Sequence, residues 1–362
     1  MLLLLACTSP EVDDDSQYVP GELPDWLPSP SVEVDAPESE GGAIIAGIIQ
    51  TGESAVVIVE RDGTITWASE LAERAVPSWV ELTDGDLIVY NEHHRDRHSA
   101  GGDVIAVRLS TGEVITTAAP YGHHSGSING DTLAYVKAEF REMEWEGEMV
   151  SVAADALVIR NLGDQEGEGK TLFSFFDDWT GELFSPCRHF DNDLYYQTAK
   201  DWTHVNSLLE LEDVYVMEAR HWDSFLAIDK DSGEIVWIMG GDYSDWTAGD
   251  RTMPWSHPHV SKMSEELIVM FDNGDHKEPP HSRAVVYDLD MDEKIYTERF
   301  RIPEQDSNFL PLLGDAQLLP GGNILVSWTE LGRIDEYTPD GELVWRLELP
   351  LGTIVSRVDH IP

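Results

Sequence analysis

A hairpin unit that recurs along the chain restricts the possible folds more than any other feature. Each unit is a β-prone strand, a tight turn and a second strand, as in Val57–Trp67, Ile105–Ile115, Leu226–Trp237 and Ile334–Trp345. Glycines in these turns supply the positive φ that tight hairpins need. The first two turn glycines, Gly63 and Gly112, lie 49 positions apart (112 − 63). A period of about 50 residues is typical of β-propellers.

Two further units, Ala156–Phe173 and Tyr287–Ile295, bring the number of hairpins to six. Second hairpins such as Trp79–Tyr90 and Ala316–Ser327 give each repeat four strands. The sequence therefore predicts an all-β, six-bladed β-propeller over residues 41–362. Its last blade, around Gly341, is expected to be closed by an N-terminal strand near 43–49. A pair of β-sandwiches is the competing architecture.

The charge balance argues against a polyanionic partner. The chain has 69 Asp plus Glu against 23 Lys plus Arg, a formal net charge of −46. A surface of this sign repels nucleic acid. An acidic, solubilising surface is the simplest interpretation.

The first seven residues resemble the end of a bacterial lipoprotein signal, in which Leu4, Leu5 and Ala6 precede a lipid-modified Cys7. Residues 8–40, rich in Pro, Ser, Asp and Glu, are predicted to be a disordered tether. We therefore expect a protein of the bacterial cell envelope that contacts the membrane only through this lipid. The alternative is an ordinary apolar N-terminus on a cytoplasmic protein. Cys187, the other cysteine, is expected to be a small core residue.

Several histidines stand where an outer hairpin ends and the chain returns toward the propeller axis: His123, His124, His204, His257 and His259. Imidazoles donate hydrogen bonds to anionic oxygens and transfer protons near neutral pH. Asn206 shares the face of His204 if that segment is extended. Arg283 offers a planar fork for two sulfate oxygens. Each of these residues alone is as well explained by an ordinary structural role.

Two other classes of site remain open. His204, His257, His259 and Asp272 are nitrogen and oxygen ligands, but no closed zinc or copper set can be written from them. Asp272–Asp275 lacks the terminal glutamate of a calcium loop. The sequence therefore predicts no metal and no other cofactor. A propeller can also be a rigid binding disc without any catalysis.

A series of motifs gives the chain a family resemblance: Tyr121–His124, Asp201–Asn206, Ile228–Trp237, His257–His259, Phe271–Gly274, Ser282–Arg283, Gly314–Gln317 and Gly322–Val326. In order and spacing they resemble the aryl-sulfate sulfotransferase (arylsulfotransferase) family, over residues 123–357. The resemblance implies transfer of a sulfuryl group from a phenolic sulfate to a phenolic acceptor in the central funnel of a six-bladed propeller.

The resemblance also implies roles for individual residues. His204, His259, Arg283 and Asn206 are predicted to be catalytic, with Arg283 binding the sulfate. The residues predicted to bind the substrate are His123, His124, His257, Asp272 and Asn273.

One departure from the family pattern concerns a histidine on a late blade, the nucleophile of members that form a covalent sulfohistidine. No histidine occurs between His281 and His360. Either another histidine accepts the sulfuryl group, or the protein is a catalytically inactive, surface-anchored propeller that binds a glycan or a protein partner.

Overall fold

The computed structural model describes residues 23–94, 101–179, 199–303 and 309–362. Cys7, Cys187 and residues 8–22 of the expected tether lie outside these ranges, so lipidation of Cys7 stays a prediction. Within them, the helical segments are the short 3-10 turns Arg220–Trp222 and Thr329–Leu331. None of the described helices has the length and apolar character to cross a membrane.

The regular structure of the described ranges is otherwise β-strand. In chain order the strands are β1 (Ser31–Asp35), β2 (Ala43–Gln50), β3 (Glu53–Val59), β4 (Ile65–Glu70), β5 (Ala75–Val76), β6 (Val80–Thr83), β7 (Leu87–Asn91), β8 (His93–His94), β9 (Gly101–Arg108), β10 (Glu113–Pro120), β11 (Gly122–Asn129), β12 (Thr132–Trp145), β13 (Glu148–Asn161), β14 (Lys170–Ser174), β15 (Lys200–Asp201), β16 (Val205–Glu210), β17 (Val214–Ala219), β18 (Ser224–Asp229), β19 (Ile235–Gly240), β20 (Thr247–Ala248), β21 (Pro258–Met263), β22 (Leu267–Asp272), β23 (Arg283–Asp290), β24 (Ile295–Pro303), β25 (Asp315–Leu318), β26 (Ile324–Trp328), β27 (Arg333–Tyr337), β28 (Leu343–Glu348) and β29 (Ile354–Ile361).

These strands form six blades, confirming the predicted six-bladed β-propeller. From inner to outer strand, blades 1 to 6 are β29-β2-β3-β4, β6-β7-β9-β10, β11-β12-β13-β14, β16-β17-β18-β19, β21-β22-β23-β24 and β25-β26-β27-β28. The six hairpins expected from the sequence are the third and fourth strands of the six blades. Short strands extend three blades: β15 pairs with β13, β20 with β24 and β1 with β28.

Alternating side chains of each blade pack against the two neighbouring blades. In β3, Val57 contributes to the core shared with blade 6, whereas Val56 contributes to the core shared with blade 2. Successive residues of a strand point to opposite faces, so a blade enclosed on both sides needs apolar residues at nearly every position. Six such hydrophobic cores fill the six junctions between adjacent blades. The ring is therefore closed.

Ring closure differs in detail from the expectation. The N-terminal strand β2 does not complete the blade of the Gly341 hairpin. It pairs with the C-terminal strand β29, from Ala43 opposite Ile361 to Ile49 opposite Ile354, and both belong to blade 1. Blade 6 gains a different N-terminal strand, because β1 pairs with β28 at its outer edge.

The strand β1 also places an ordered segment inside the region expected to be a tether. Trp26, Leu27 and Val32 pack against the core between blades 1 and 6. The side chain of Glu40 accepts hydrogen bonds from the backbone amides of Gly321 (2.6 Å) and Asn323 (2.7 Å). Among the described residues, a tether ending at residue 40 is therefore too long, because the apolar residues near position 30 are partly buried against the propeller.

The directions of the strands decide where side chains meet. Four antiparallel strands return the chain to the end of the ring from which the blade started. The inner strands β11, β16, β21 and β25 consequently all begin at the same end of the central channel, and neighbours in this series contact one another. Residues that precede or open these strands converge around the axis.

Candidate functional site

The histidines expected from the sequence lie where inner strands begin. His123 and His124 are near the start of β11, His204 directly precedes β16, and His257 and His259 flank the first residue of β21. The ring centroid of His124 lies 5.0 Å from that of His204 and 6.3 Å from that of His259. The structure thus brings His204 and His259 to the same end of the channel.

Three of these histidines share an unusual backbone conformation. His124, His204 and His257 have φ values of +53°, +50° and +50°. A positive φ is uncommon outside glycine, and such residues concentrate at functional sites. The pairing register also shifts near the start of β11, β16 and β21, as in β-bulges that redirect side chains. The same backbone feature, a positive φ next to a shift in pairing register, therefore directs histidines of three successive blades toward the axis.

Asp155 fixes one side of the cluster. Its Oδ1 lies 2.7 Å from Nε2 of His123, and its Oδ2 accepts hydrogen bonds from Oγ1 of Thr203 (2.6 Å) and the amide of Val205 (2.7 Å). Burial raises the pKa of Asp155, but the electrostatic interaction with His123 and these hydrogen bonds outweigh it and lower the pKa below its usual value. Nδ1 of His123 in turn lies 2.6 Å from Nδ1 of His124.

Asp201 binds two further imidazoles. Its Oδ2 contacts Nδ1 of His204, and its backbone carbonyl accepts a hydrogen bond from Nδ1 of His221 at 2.9 Å. The rings of His204 and His221 stack, with centroids 4.9 Å apart. Burial raises the pKa of Asp201 to about 6. The sequence analysis missed His221 because it lies on a 3-10 turn after β17, outside the hairpin repeat.

His257 and His276 belong to a third group, beside the stacked rings of His204 and His221. His257 lies with Nδ1 3.1 Å from Oδ2 of Asp275, and its ring centroid is 5.6 Å from that of His221. His276, which is more exposed, has its ring centroid 4.3 Å from that of His257 and Nδ1 3.4 Å from Oδ2 of Asp223. His221, Asp223 and His276 were all absent from the predicted site.

Burial keeps four of these imidazoles neutral. It is the main cause that lowers the pKa of His124, His221 and His259 well below the usual 6.5, and neighbouring histidines or arginines add to it. Burial, followed by the charge of Arg220, lowers the pKa of His257 to about 2. A neutral imidazole has a lone pair, so it can act as a base or as a nucleophile.

These shifts predict a loss of stability in mild acid. A histidine whose pKa is lowered on folding favours the folded state above about pH 6.5, and this contribution disappears as the pH falls, since the unfolded chain takes up protons first. Asp201 and Asp315, whose pKa values are raised by burial, act in the opposite sense. The histidines outnumber them: His124, His221, His257 and His259.

We expect the free energy of unfolding to fall by about 1–3 kcal/mol between about pH 7 and pH 5. Urea unfolding at the two pH values, with the m-value compared, measures the difference. A free energy of unfolding that stays constant or rises toward pH 5 would contradict neutral buried histidines.

Arg283, predicted to bind the sulfate, makes its side-chain hydrogen bonds to residues of its own blade and of the loop before β21 rather than to the clustered histidines. It opens β23, the third strand of its blade, and is 1% exposed. Its Nε donates to Oδ2 of Asp272 (2.7 Å), its Nη1 to Glu298 (3.1 Å) and its Nη2 to the hydroxyl of Tyr287 (3.0 Å). A guanidinium enclosed by these partners anchors the blade.

The other predicted residues also have structural contacts. Asp272 accepts hydrogen bonds from the amides of Ser256 (2.9 Å) and Gly274 (3.1 Å), in addition to that from Arg283. Nδ2 of Asn273 donates to the carbonyls of Leu310 (2.8 Å) and Leu313 (2.9 Å).

Asn206 is fully buried, one residue into β16, and its Nδ2 donates to the carbonyl of Pro258 at 3.2 Å. This bond ties β16 to β21. It positions the two strands that follow His204 and His257.

Two arginines that the sequence analysis missed do reach the cluster. Arg357, in β29, donates Nη2 to the carbonyls of Asn206 (3.1 Å) and His124 (3.4 Å). Burial lowers its pKa to about 10, so it stays a cation at neutral pH. Arg220 donates to the carbonyl of Pro311 (2.9 Å), and its positive charge lowers the pKa values of nearby histidines.

A cavity of about 660 Å³ opens beside Arg357. The residues lining it come from inner strands and the turns after them, including Ser125, Ser207, Lys262, Asp315 and Arg357. The described lining residues do not include His124, His204 or His259, but Ser125 follows His124 in the chain and Arg357 bonds the carbonyl of His124, so the cavity begins next to the cluster. The volume suits a small organic molecule.

The residues considered as zinc or copper ligands do not form one group. They are His204, His257, His259 and Asp272. Among the described residues, the groups with metal-ligating geometry are Asp201 with His204 and His221, and Asp223 with His257 and His276. His204 and His257 belong to different groups, and Asp272 is bound by Arg283.

The fold and the site together define a six-bladed propeller with a histidine-lined central channel. Residues 182–349 match the family described as Arylsulfotransferase (ASST). This match agrees with the arylsulfotransferase resemblance of the sequence motifs. No curated protein matches the sequence.

Similar solved structures bear on the fold alone. A protein of unknown function from Bacteroides caccae is 12% identical with a TM-score of 0.52, over 88% of this chain and 98% of that one. The periplasmic gluconolactonase of Pseudomonas aeruginosa is 11% identical with a TM-score of 0.47, over 89% of this chain and 99% of that one.

Proposed function

We propose that the protein transfers a sulfuryl group from a phenolic sulfate to a phenolic acceptor at the cluster of His124, His204 and His259. The observation that carries the proposal is the convergence of these imidazoles beside Arg357, in a chain whose residues 182–349 match the arylsulfotransferase family. Both the donor and the acceptor are aromatic molecules of a size that the adjacent cavity accommodates.

His259 is suited to accept the sulfuryl group. Its Nδ1 lies 3.0 Å from the carbonyl oxygen of Gly314, and because that oxygen can only accept, Nδ1 carries the proton. The lone pair is then on Nε2. In the proposed step Nε2 attacks sulfur, the bond from sulfur to the phenolic oxygen breaks, and the phenolate leaves with the bonding electrons.

His204 is suited to transfer the proton. The Asp201 carboxyl group that contacts its Nδ1 orients the ring, as in acid–base pairs generally. In the second step His204 takes the proton of the acceptor phenol, whose oxygen attacks sulfur and releases the imidazole of His259. Arg357 would stabilise the negative charge that shifts from the sulfuryl oxygens to the leaving phenolate.

A direct assay tests the proposal. The purified protein is incubated with a chromogenic aryl sulfate, with and without a second phenol, and the released phenol and the sulfated acceptor are both quantified. We expect release that depends on the acceptor and an equal amount of sulfated product. A folded protein that binds the aryl sulfate without turnover would contradict the proposal and favour the inactive, surface-anchored binding propeller.

A further inference from the structure

The side chains of Asp223, His257 and His276 form a compact group at the edge of the histidine cluster. Each offers one ligand atom, and these three atoms lie within 4.8 Å of one another. In a tetrahedral zinc site with ligand distances of about 2.0 Å, neighbouring ligand atoms are about 3.3 Å apart. Small side-chain rotations therefore suffice to bring the three ligands around one ion.

Three separate loops are bound together to make this group. Asp223 ends the 3-10 turn in a left-handed conformation (φ +51°), and its Oδ1 accepts the backbone amide of His257 at 2.5 Å. The hydroxyl of Ser256 accepts the amide of His276 at 2.9 Å, and the carbonyl of Ser256 accepts the amide of Gly274 at 2.9 Å. The backbone thus fixes the group before any ligand arrives.

The negative charge around this group and its access from solvent both favour the binding of a cation. A second carboxylate, Asp275, lies 3.1 Å from Nδ1 of His257, so two acidic groups surround two imidazoles. The side chains of His276 and Asp223 remain 32% and 25% exposed, which leaves a path from solvent. The net charge of the chain, −46, raises the local concentration of cations.

We propose that Asp223, His257 and His276 bind one divalent transition-metal ion of the zinc class. Two imidazoles and one carboxylate form a ligand set that suits zinc, and three protein ligands leave a fourth position open for water or an anion. Asp275 orients His257 from behind, as carboxylates do around metal-bound histidines. The roles of His204 and His259 in sulfuryl transfer do not depend on this ion.

Calorimetric titration of the chelator-treated full chain with ZnCl₂ tests the site. We expect one zinc ion per chain at this site and a loss of affinity of more than about a hundredfold in His276→Ala and in Asp223→Asn. Substitution by Co²⁺ should give the visible absorption of a four-coordinate ion. His276 is largely on the surface, so its variant is expected to fold, which circular dichroism verifies.

His281→Ala is the matched control, since His281 belongs to the same loop but bonds the carbonyl of Pro279. It should bind zinc as the wild type does. His204→Ala tests the neighbouring group of Asp201, His204 and His221. Unchanged affinity in His276→Ala, no binding by the wild type, or loss of binding only in His204→Ala would each overturn the proposal. None of these measurements requires turnover, so they are independent of the sulfotransferase assay.

Discussion

Replacing His204 or His259 by alanine is expected to lower kcat for sulfuryl transfer by about a hundredfold or more, the usual scale for removing an acid–base or nucleophilic group. His259→Ala removes the proposed acceptor of the sulfuryl group. His204→Ala leaves Asp201 without the imidazole that its Oδ2 contacts and removes the proton carrier. Steady-state rates with a chromogenic aryl sulfate and a saturating phenol measure both effects.

The two variants should differ in one further respect. If His259 forms the covalent intermediate, His259→Ala abolishes the rapid initial release of phenol, whereas His204→Ala slows the acceptor step more. His360→Ala is the control, because His360 lies in β29 with Nε2 2.9 Å from the carbonyl of Gly41, and its turnover should stay near that of the wild type. Wild-type rates in both His204→Ala and His259→Ala would rule out the assignment.

Replacing Arg283 by methionine is expected to lower the free energy of unfolding by about 3–5 kcal/mol, because it removes the buried cation that the carboxylates of Asp272 and Glu298 share. Among the described residues, Asp272 then keeps only Lys277 as a charged partner, and Glu298 keeps only Arg301. Urea unfolding measures this loss. Arg299→Met is a matched control on the next strand. The ion pair of Arg299 with Asp288 is 44% and 46% exposed, so its removal should cost less than about 1 kcal/mol.

The Arg283→Met variant also separates two roles for this arginine. An anchoring residue affects stability and leaves kcat/KM of the folded fraction within a few-fold of the wild type. A sulfate-binding residue would do the reverse. Normal stability with a large loss of kcat/KM would restore the role that the sequence resemblance implied for Arg283.

The hairpin repeat was a sufficient guide to the architecture, because strand and turn chemistry are local. The glycine turns at Gly63, Gly112, Gly233 and Gly341 all fall between the third and fourth strands of blades. The sequence also indicated that the histidines lie at the inner strands of the blades, since His204 and His257 directly precede such strands.

The cations of the site were not predictable in the same way. Arg283 stands near a family-like motif, but the direction of its side chain depends on Asp272 and Glu298, which a local pattern does not connect to it. Arg357 looked like part of a short tail after the last hairpin. Its position became evident only from the pairing of β29 with β2, a contact between the two ends of the ring.

That pairing has a consequence for biosynthesis. Ser356 in β29 bonds the carbonyl of Gly47 in β2, 309 residues earlier in the chain. The ribosome makes the N-terminal blades first, and long-range strand pairing is slow to form. Arg357 enters the channel on the strand that closes the ring, so nascent chains and chains truncated before residue 354 hold the histidines without this cation. The proposed sulfuryl transfer would therefore begin only after synthesis has reached β29, and incomplete chains would not catalyse it.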